Sequence, residues 1–331
     1  MKTFTRTLGR SGIQVSGIGL GCWAIGGPFF AGEVSVGWGE VDDKESIRAI
    51  HCGLERGINF FDTADVYGTG HSEQVLGAAL AGRRDRIIIA TKFGNVFDPI
   101  TKQITGGDAS CAYIQQACEA SLRRLQTDYI DLYQFHLNGY DAHQAVDIRE
   151  TLEKLVQMGK IRTYGWSTDS PDSATVFAQG PHCTAIQHDL NVIGDAPGII
   201  AVCEQYNLAS INRGPLAMGL LTGKFNANSQ LPADDVRGQH TLGWMRYYKD
   251  GKPNPEWMAK LDAIRSVLIS EGRTLAQGAL AWLWARSQQC VPIPGFRTVK
   301  QVEENSGALS FGPLTADQMR EISHLLSLDH A

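Results

Sequence analysis

Short apolar runs recur along the chain, each followed by a segment whose apolar residues repeat at helical spacing. "GIGLGCW" (17–23) precedes "DKESIRAIHCGLERG", where Ile47, Ile50 and Leu54 share one face. "INFFDTA" (58–64) precedes "SEQVLGAALAG", "IIIATK" (87–92) precedes "ASCAYIQQACEASLRRLQ", and "YIDLYQFH" (129–136) precedes "DIRETLEKLVQMG". "RTYGWST" (162–168), "TAIQHDL" (184–190) and "LASINRG" (208–214) continue the rhythm, and "CVPIPG" (290–295) follows the helix "TLAQGALAWLWARSQ". Alternation of this kind predicts right-handed parallel βαβ crossovers. Eight such units with no Gly/Ser/Pro-rich linker predict one domain over residues 1–331, an α/β chain closed as a (β/α)8 TIM barrel rather than an open doubly wound sheet.

In a barrel the carboxyl ends of the strands converge on one face, where the chemistry sits. The runs end on or near Trp23, Asp62, Lys92, His136, Ser167, Gln187, Arg213 and Pro294, with Tyr67 on the loop after Asp62. Each alone has a plain explanation, a capping aspartate or a surface lysine. Together they bring an acid, a base, an imidazole and a phenol to one mouth. A buried lysine and aspartate there must pair. Beside that lysine the phenol is expected to acidify below its ordinary pKa of ~10 and serve as a general acid, while a neutral His136 orients a carbonyl or shares the proton. A metal hydrolase would need clustered ligands such as His-x-His on an early strand, which "GIGLGCW" lacks. A Schiff-base lyase would need an uncharged lysine, and Asp62 would keep Lys92 protonated. Protonation of a carbonyl oxygen during hydride addition fits best.

Composition narrows the partners. The chain has 331 residues, 43% hydrophobic and 20% charged, and 30 basic against 35 acidic residues give a net charge of −5. No basic run stands out, which argues against nucleic acid or an anionic membrane. Seven scattered cysteines without a C-x-x-C pair read as reduced thiols of a cytoplasmic protein. The opening "MKTFTRTLGRSGIQVSGIGLGCWAIGG" imitates a signal peptide, but glycines at 12, 17, 19 and 21 break its apolar part, and no run is long enough for a membrane helix.

These motifs together resemble the aldo-keto reductases over nearly the full length. "FDTADVYG", "IIIATKFG" and "YIDLYQFH" match the family's catalytic segments. "RTLGRSGIQVSGIGLGCWAIGG" resembles its leading β-hairpin and first strand, and "GPLAMGLLTGKF" and "VPIPGFRTVKQVEENSGAL" its two cofactor segments. "GLLTGK" and "IPG" are similar to the branch that includes potassium-channel β subunits and bacterial general reductases. The resemblance implies Tyr67 as proton donor, Lys92 and Asp62 as its tuning pair and His136 as orienter. It also implies NADPH, with NADH possible, lying across the mouth without a Rossmann domain. That agrees with the lack of a G-x-G-x-x-G fingerprint between strand and helix.

On the same resemblance, Gly21, Cys22, Trp23 and Asp62 stand near the cofactor, and Ser167 and Gln187 hold the nicotinamide amide. Thr168 replaces a usual asparagine, and Arg213 replaces the aromatic that stacks on the nicotinamide. Gly214, Pro215, Leu216, Gly219 and Lys224 form the next segment. Gly295, Phe296 and Arg297 are expected at the adenosine 2′-phosphate, with Gln301, Glu304 and Asn305 under the adenine. Because Arg297 opens the helix "TVKQVEENSG", the phosphate should meet both a guanidinium fork and a helix N-terminus.

Two long loops, 24–40 and 225–255, are expected to shape the substrate pocket. Trp23, Phe29, Trp38, Tyr67, Phe93, His136 and Trp244 are its expected lining around a small-molecule carbonyl substrate. A rival reading is a cofactor-binding regulatory subunit of the channel-β type with incidental turnover. It calls for a partner-binding arm, and the chain opens directly into its hairpin motif, which favours the enzyme.

Overall fold

The structure is a computed structural model that describes residues 4–238 and 242–328. All eight apolar runs form strands: Leu20–Gly21, Phe60–Asp62, Ile88–Phe93, Ile130–Phe135, Ile161–Ser167, Cys183–Asp189, Ala209–Arg213 and Cys290–Pro292. Each pairs in parallel with the next in chain order. The last then meets the first. Gly19 and Gly21 donate their amides to the carbonyls of Pro292 (2.9 Å) and Pro294 (3.1 Å), and Gly21 bridges Gly295 in parallel. This seam needs glycine, because a Cβ on Gly21 would lie 2.7 Å from the Ile293 carbonyl oxygen.

Helices follow the strands on the outside. Asp42 starts the helix Asp43–Glu55 by accepting from the amides of Lys44 and Glu45, and Thr274 with Gln277 forms a capping box on Leu275–Arg286. Periodicity did not mark Pro171–Ala178, Pro197–Tyr206 or Pro255–Leu268. All three begin on proline, which suits the first helical position although it breaks the sequence pattern.

Strand alternation sorts the side chains into layers. Phe60, Ala90, Leu132, Ala185, Ala209, Ile211, Val291 and Ile293 pack with Leu8, Ile13 and Val15 in one apolar cluster. The last three come from a segment with two short strands, Thr5–Thr7 and Gln14–Ser16, paired antiparallel. That segment closes the end where the strands begin: a Cβ on Gly9 would sit 2.2 Å from the Thr184 carbonyl oxygen and 2.8 Å from the Ala209 nitrogen. Two residues further along the inward faces come Asp62, Lys92, Gln134 and Gln187. Phe61, Phe93, Tyr133, Phe135 and Ile186 alternate with them and pack outward under the helices.

Both long loops carry structure of their own. Phe30–Ala31 and Val34–Ser35 join a hairpin, Asn95–Asp98 with Gln103–Gly107, in a four-stranded sheet. In the second loop Tyr248–Lys249 pairs with Lys252–Pro253; its residues 239–241 lie outside the described residues. The loops meet where Trp38 bridges Asp235 and the Val236 amide donates to the Gly37 carbonyl at 2.9 Å. All seven cysteines are unpaired. Among the described residues no helix is long and apolar enough to cross a membrane.

Candidate active site

Lys92 organises the floor of the mouth. Its ammonium donates to Asp62 Oδ1 at 2.6 Å and to the Thr63 carbonyl at 2.7 Å, and reaches the Tyr67 hydroxyl at 3.4 Å. The lysine side chain is wholly buried and the aspartate nearly so. Asp62 Oδ2 accepts from Gln187 Nε2 (2.7 Å) and Gln134 Nε2 (3.0 Å), so both carboxylate oxygens are held. Gln134 escaped the sequence reading. Its signal was the period of two in "YIDLYQFH", which puts Gln134 and His136 on one face of the strand. The His136 ring stands edge-on to Tyr67 with centroids 5.8 Å apart, and its Nδ1 is buried without a partner.

The phenol is not acidified as expected. Burial raises the Tyr67 pKa, Lys92 pulls it down and Asp62 pushes it up, and the balance lies above the ordinary 10.0. The physical reason is the 2.6 Å ion pair: Asp62 answers the lysine's charge, so too little is left to offset desolvation. For Lys92, burial alone would lower the pKa, but Asp62 and Tyr67 raise it above 10.5. Burial first, then the charges of Lys92 and Arg213, hold His136 well below 6.5, so the ring is neutral near pH 7. Asp65, the second acid of "FDTADVYG", lies off this floor. Burial and then Glu73 raise its pKa well above the ordinary 3.8, and its Oδ1 has no partner among the described residues.

Tryptophans wall one side. Trp23 opens a short 3-10 turn, Trp23–Ile25, and stacks on Tyr67 at 5.9 Å and 21°. Trp38 meets Trp23 edge-on at 5.4 Å, and the exposed Trp244 reaches it at 6.1 Å. Two expected lining residues are elsewhere. Phe93 is fully buried with its ring 4.5 Å from Tyr133, because the residue after an inward Lys92 must point outward. Phe29 is buried against Ala64 and Val66 beneath the first loop.

The expected cofactor residues are divided between the floor and the rim. Ser167 and Arg213 are the last residues of the fifth and seventh strands. Gln187, expected at the nicotinamide amide, has its NH2 committed to Asp62. Thr168 donates to the Asn138 carbonyl at 3.2 Å, and Arg213 pairs with Asp169, which Asn138 also holds at 2.9 Å. Cys22 is buried, with its amide on the Asp62 carbonyl at 2.8 Å. Gly214 has φ +60°, and a Cβ there would meet Asp189 Oδ1 at 2.6 Å. Pro215 and Leu216 lead into Ala217–Thr222, kinked at Met218 and Gly219, and the Lys224 ammonium lies 5.4 Å over the Phe225 ring.

At the far end, Gly295 is open: a Cβ there would meet only the Gly21 carbonyl oxygen, 3.9 Å away. Phe296 and Asn305 are buried, and the Glu304 carbonyl accepts from Gln277 at 3.0 Å. Arg297 donates to the carbonyls of Trp38, at 3.0 Å, and Glu40, while its amide donates to Gln301 Oε1 at 2.7 Å. The helix expected at the phosphate begins at Val299, with Thr298 as its N-cap, and two of its first-turn amides have partners. Val299 N–H donates to the Glu45 carboxylate at 2.9 Å, and Gln301 N–H to the Thr298 hydroxyl at 3.3 Å. A carboxylate from a helix 254 residues away could not be read from local sequence.

This constellation can hold a carbonyl beside a phenol whose conjugate base would be balanced by a fixed ammonium. Comparisons with known proteins identify the family. The model of the Aldo/keto reductase family matches residues 17–327. The aldo-keto reductase YhdN of Bacillus subtilis is 31% identical over 97% of this chain and 92% of its own length. Among solved structures, the glycerol dehydrogenase AKR11B4 from Gluconobacter oxydans is 30% identical with a TM-score of 0.82, covering 99% of this chain and 97% of that one. An aldo-keto reductase from Klebsiella pneumoniae in complex with NADPH is 27% identical with a TM-score of 0.69, covering 98% and 96%. By strand order, by the residues its barrel mouth gathers and by these matches, the chain belongs to the aldo/keto reductase family.

Proposed function

We propose that this protein reduces an aldehyde or ketone to an alcohol with NADPH, reversibly, and that Tyr67 is the proton donor. The observation that carries the reading is the Lys92 ammonium, fixed by Asp62 and the Thr63 carbonyl with the Tyr67 hydroxyl 3.4 Å away. Solved relatives include one in complex with NADPH and one that is a glycerol dehydrogenase, which supports both the cofactor and the reversibility.

The residues present fit the cofactor. Among the described residues neither Arg297 nor Lys224 has a carboxylate partner: one rests on neutral carbonyls and the other over a ring. Two such cations suit a dinucleotide's phosphates. Gly295 leaves room beside the strand ends, since a Cβ there would meet only the Gly21 carbonyl oxygen at 3.9 Å. Arg297 would grip the 2′-phosphate, and Ser167 and Arg213 would face the nicotinamide end.

When bound, the reduced nicotinamide supplies the hydride to the carbonyl carbon. Tyr67 gives its phenolic proton to the carbonyl oxygen, and Lys92 balances the phenolate left behind. Its raised pKa keeps that proton in place until the oxygen becomes basic. Neutral His136 orients the carbonyl, and Trp23, Trp38 and Trp244 wall the pocket. In the alcohol direction Tyr67 takes the proton back.

Tyr67→Phe should lower single-turnover reduction about 10²–10⁴-fold while leaving NADPH binding nearly intact. Retention of more than half the rate would remove Tyr67 as the acid. Loss of NADPH absorbance across an aldehyde and ketone panel tests the activity itself. Tight NADPH binding with no turnover would favour the regulatory-subunit reading.

A further inference from the structure

The segment proposed to meet the 2′-phosphate carries an anion of its own. Glu45, from the helix Asp43–Glu55, places Oε1 on the Val299 amide at 2.9 Å, two residues past Arg297. Its Oε2 is held by Arg48 at 2.6 Å and 3.1 Å. The other first-turn acceptors are the Thr298 hydroxyl and the Gln301 side chain, both uncharged. Arg297 turns its guanidinium to the carbonyls of Trp38 and Glu40. One side of this corner therefore offers a cation with no carboxylate partner among the described residues, and the other a fixed carboxylate that is ion-paired to Arg48.

We infer that Glu45 is a specificity-determining residue for the adenosine end of the cofactor, opposing a 2′-phosphate, tolerating a 2′-hydroxyl, and so narrowing the NADPH preference that Arg297 creates. The inference rests on the proposed reading of Arg297 as the phosphate's ligand. A carboxylate accepts a hydrogen bond from a hydroxyl, whereas against a phosphate dianion it adds like-charge repulsion. Glu45 is not free to swing away. Leaving Val299 gives up a charge-assisted hydrogen bond at the positive end of the helix Val299–Gly307, and Arg48 holds the other oxygen in place. The repulsion is tempered by the Arg48 ion pair at 2.6 Å and by solvent, since the Glu45 side chain is 24% exposed.

Glu45→Gln tests this directly, because the amide oxygen still accepts from Val299 while the charge is removed. The full chain, stripped of nucleotide, is titrated by calorimetry with adenosine 2′,5′-bisphosphate and with adenosine 5′-monophosphate, which differ only in the 2′-phosphate. The bisphosphate should bind about 5-fold tighter to the variant at low salt, and the monophosphate equally to both proteins. Added salt should shrink the gain. No change, or an equal change for both ligands, would overturn the inference. Arg297→Ala is the separate arm. If it leaves bisphosphate affinity intact, the phosphate reading of Arg297 falls. If it weakens the bisphosphate while Glu45→Gln does not change the ratio, only the role of Glu45 falls.

Discussion

The floor and the rim of the barrel mouth use charge in opposite ways. On the floor, Lys92 is wholly buried, and Asp62, the Thr63 carbonyl and Tyr67 surround its ammonium, while Gln134 and Gln187 hold the other carboxylate oxygen. On the rim, Arg297 and Lys224 rest on neutral carbonyls and an aromatic ring. The floor is electrostatically complete without a ligand, as preorganised catalysis requires. The rim pairs Arg213 with Asp169 but leaves Arg297 and Lys224 without a carboxylate partner among the described residues. Stability should therefore depend on the floor and cofactor choice on the rim.

The largest effect should come from breaking the floor. Asp62→Leu leaves Lys92 buried and unpaired, and urea unfolding should show a loss of about 3–5 kcal/mol. Adding Lys92→Met should restore much of that stability without restoring reduction. A single-variant loss no larger than that of a surface change would mean the pair does not hold the floor.

A smaller effect is expected at the rim. Arg297→Ala should weaken NADPH binding by about 1.5–3 kcal/mol, roughly 10- to 150-fold, and barely affect NADH. Its NADPH affinity should also depend less on salt. Equal losses for both cofactors would make Arg297 a clamp on the first loop, through Trp38 and Glu40, rather than a phosphate ligand.

The smallest effect is in the pH profile. With Tyr67 above 10.0 and His136 well below 6.5, the single-turnover rate of reduction should be flat between those values. It should fall only as Tyr67 loses its proton, on the alkaline side of 10.0. A midpoint below 10.0 would show that Lys92 outweighs burial and that the acidified phenol of the simpler electrostatic picture is correct.

Much of this was legible in the chain. Each barrel strand announced itself as an apolar run, and Asp62, Lys92 and His136 showed where three of them end. What stayed hidden depended on contacts between distant segments or on desolvation. Lys92 implied an acidified tyrosine, but the sign of the Tyr67 shift turns on how well Asp62 cancels the lysine and how deeply the phenol is buried. Phe93 was misplaced although the rule that corrects it, alternation from an inward Lys92, was available. The hairpin of Asn95–Asp98 and Gln103–Gly107 is short, with two glycines closing its second strand, and lacks the alternation that marks a half-buried strand. Glu45 on Val299 could be found only after helices from opposite ends of the chain had been packed together.

The seam where the barrel closes bears on how this protein is made. Its first strand is only Leu20–Gly21, and the edge away from Phe60–Asp62 is met by the segment 292–295. The Trp284 indole donates to the Gly17 carbonyl across 267 residues, at 2.6 Å, and its ring meets Phe4 at 5.0 Å. On the ribosome, the first strand must therefore wait for nearly the whole chain to emerge before its second edge is covered. Contacts so far apart in sequence form slowly, and an uncovered edge invites pairing with another nascent chain. Quenching or recovery of Trp284 emission would time the closing step during refolding, and truncations before residue 290 should leave a sheet with an open edge that depends on chaperones.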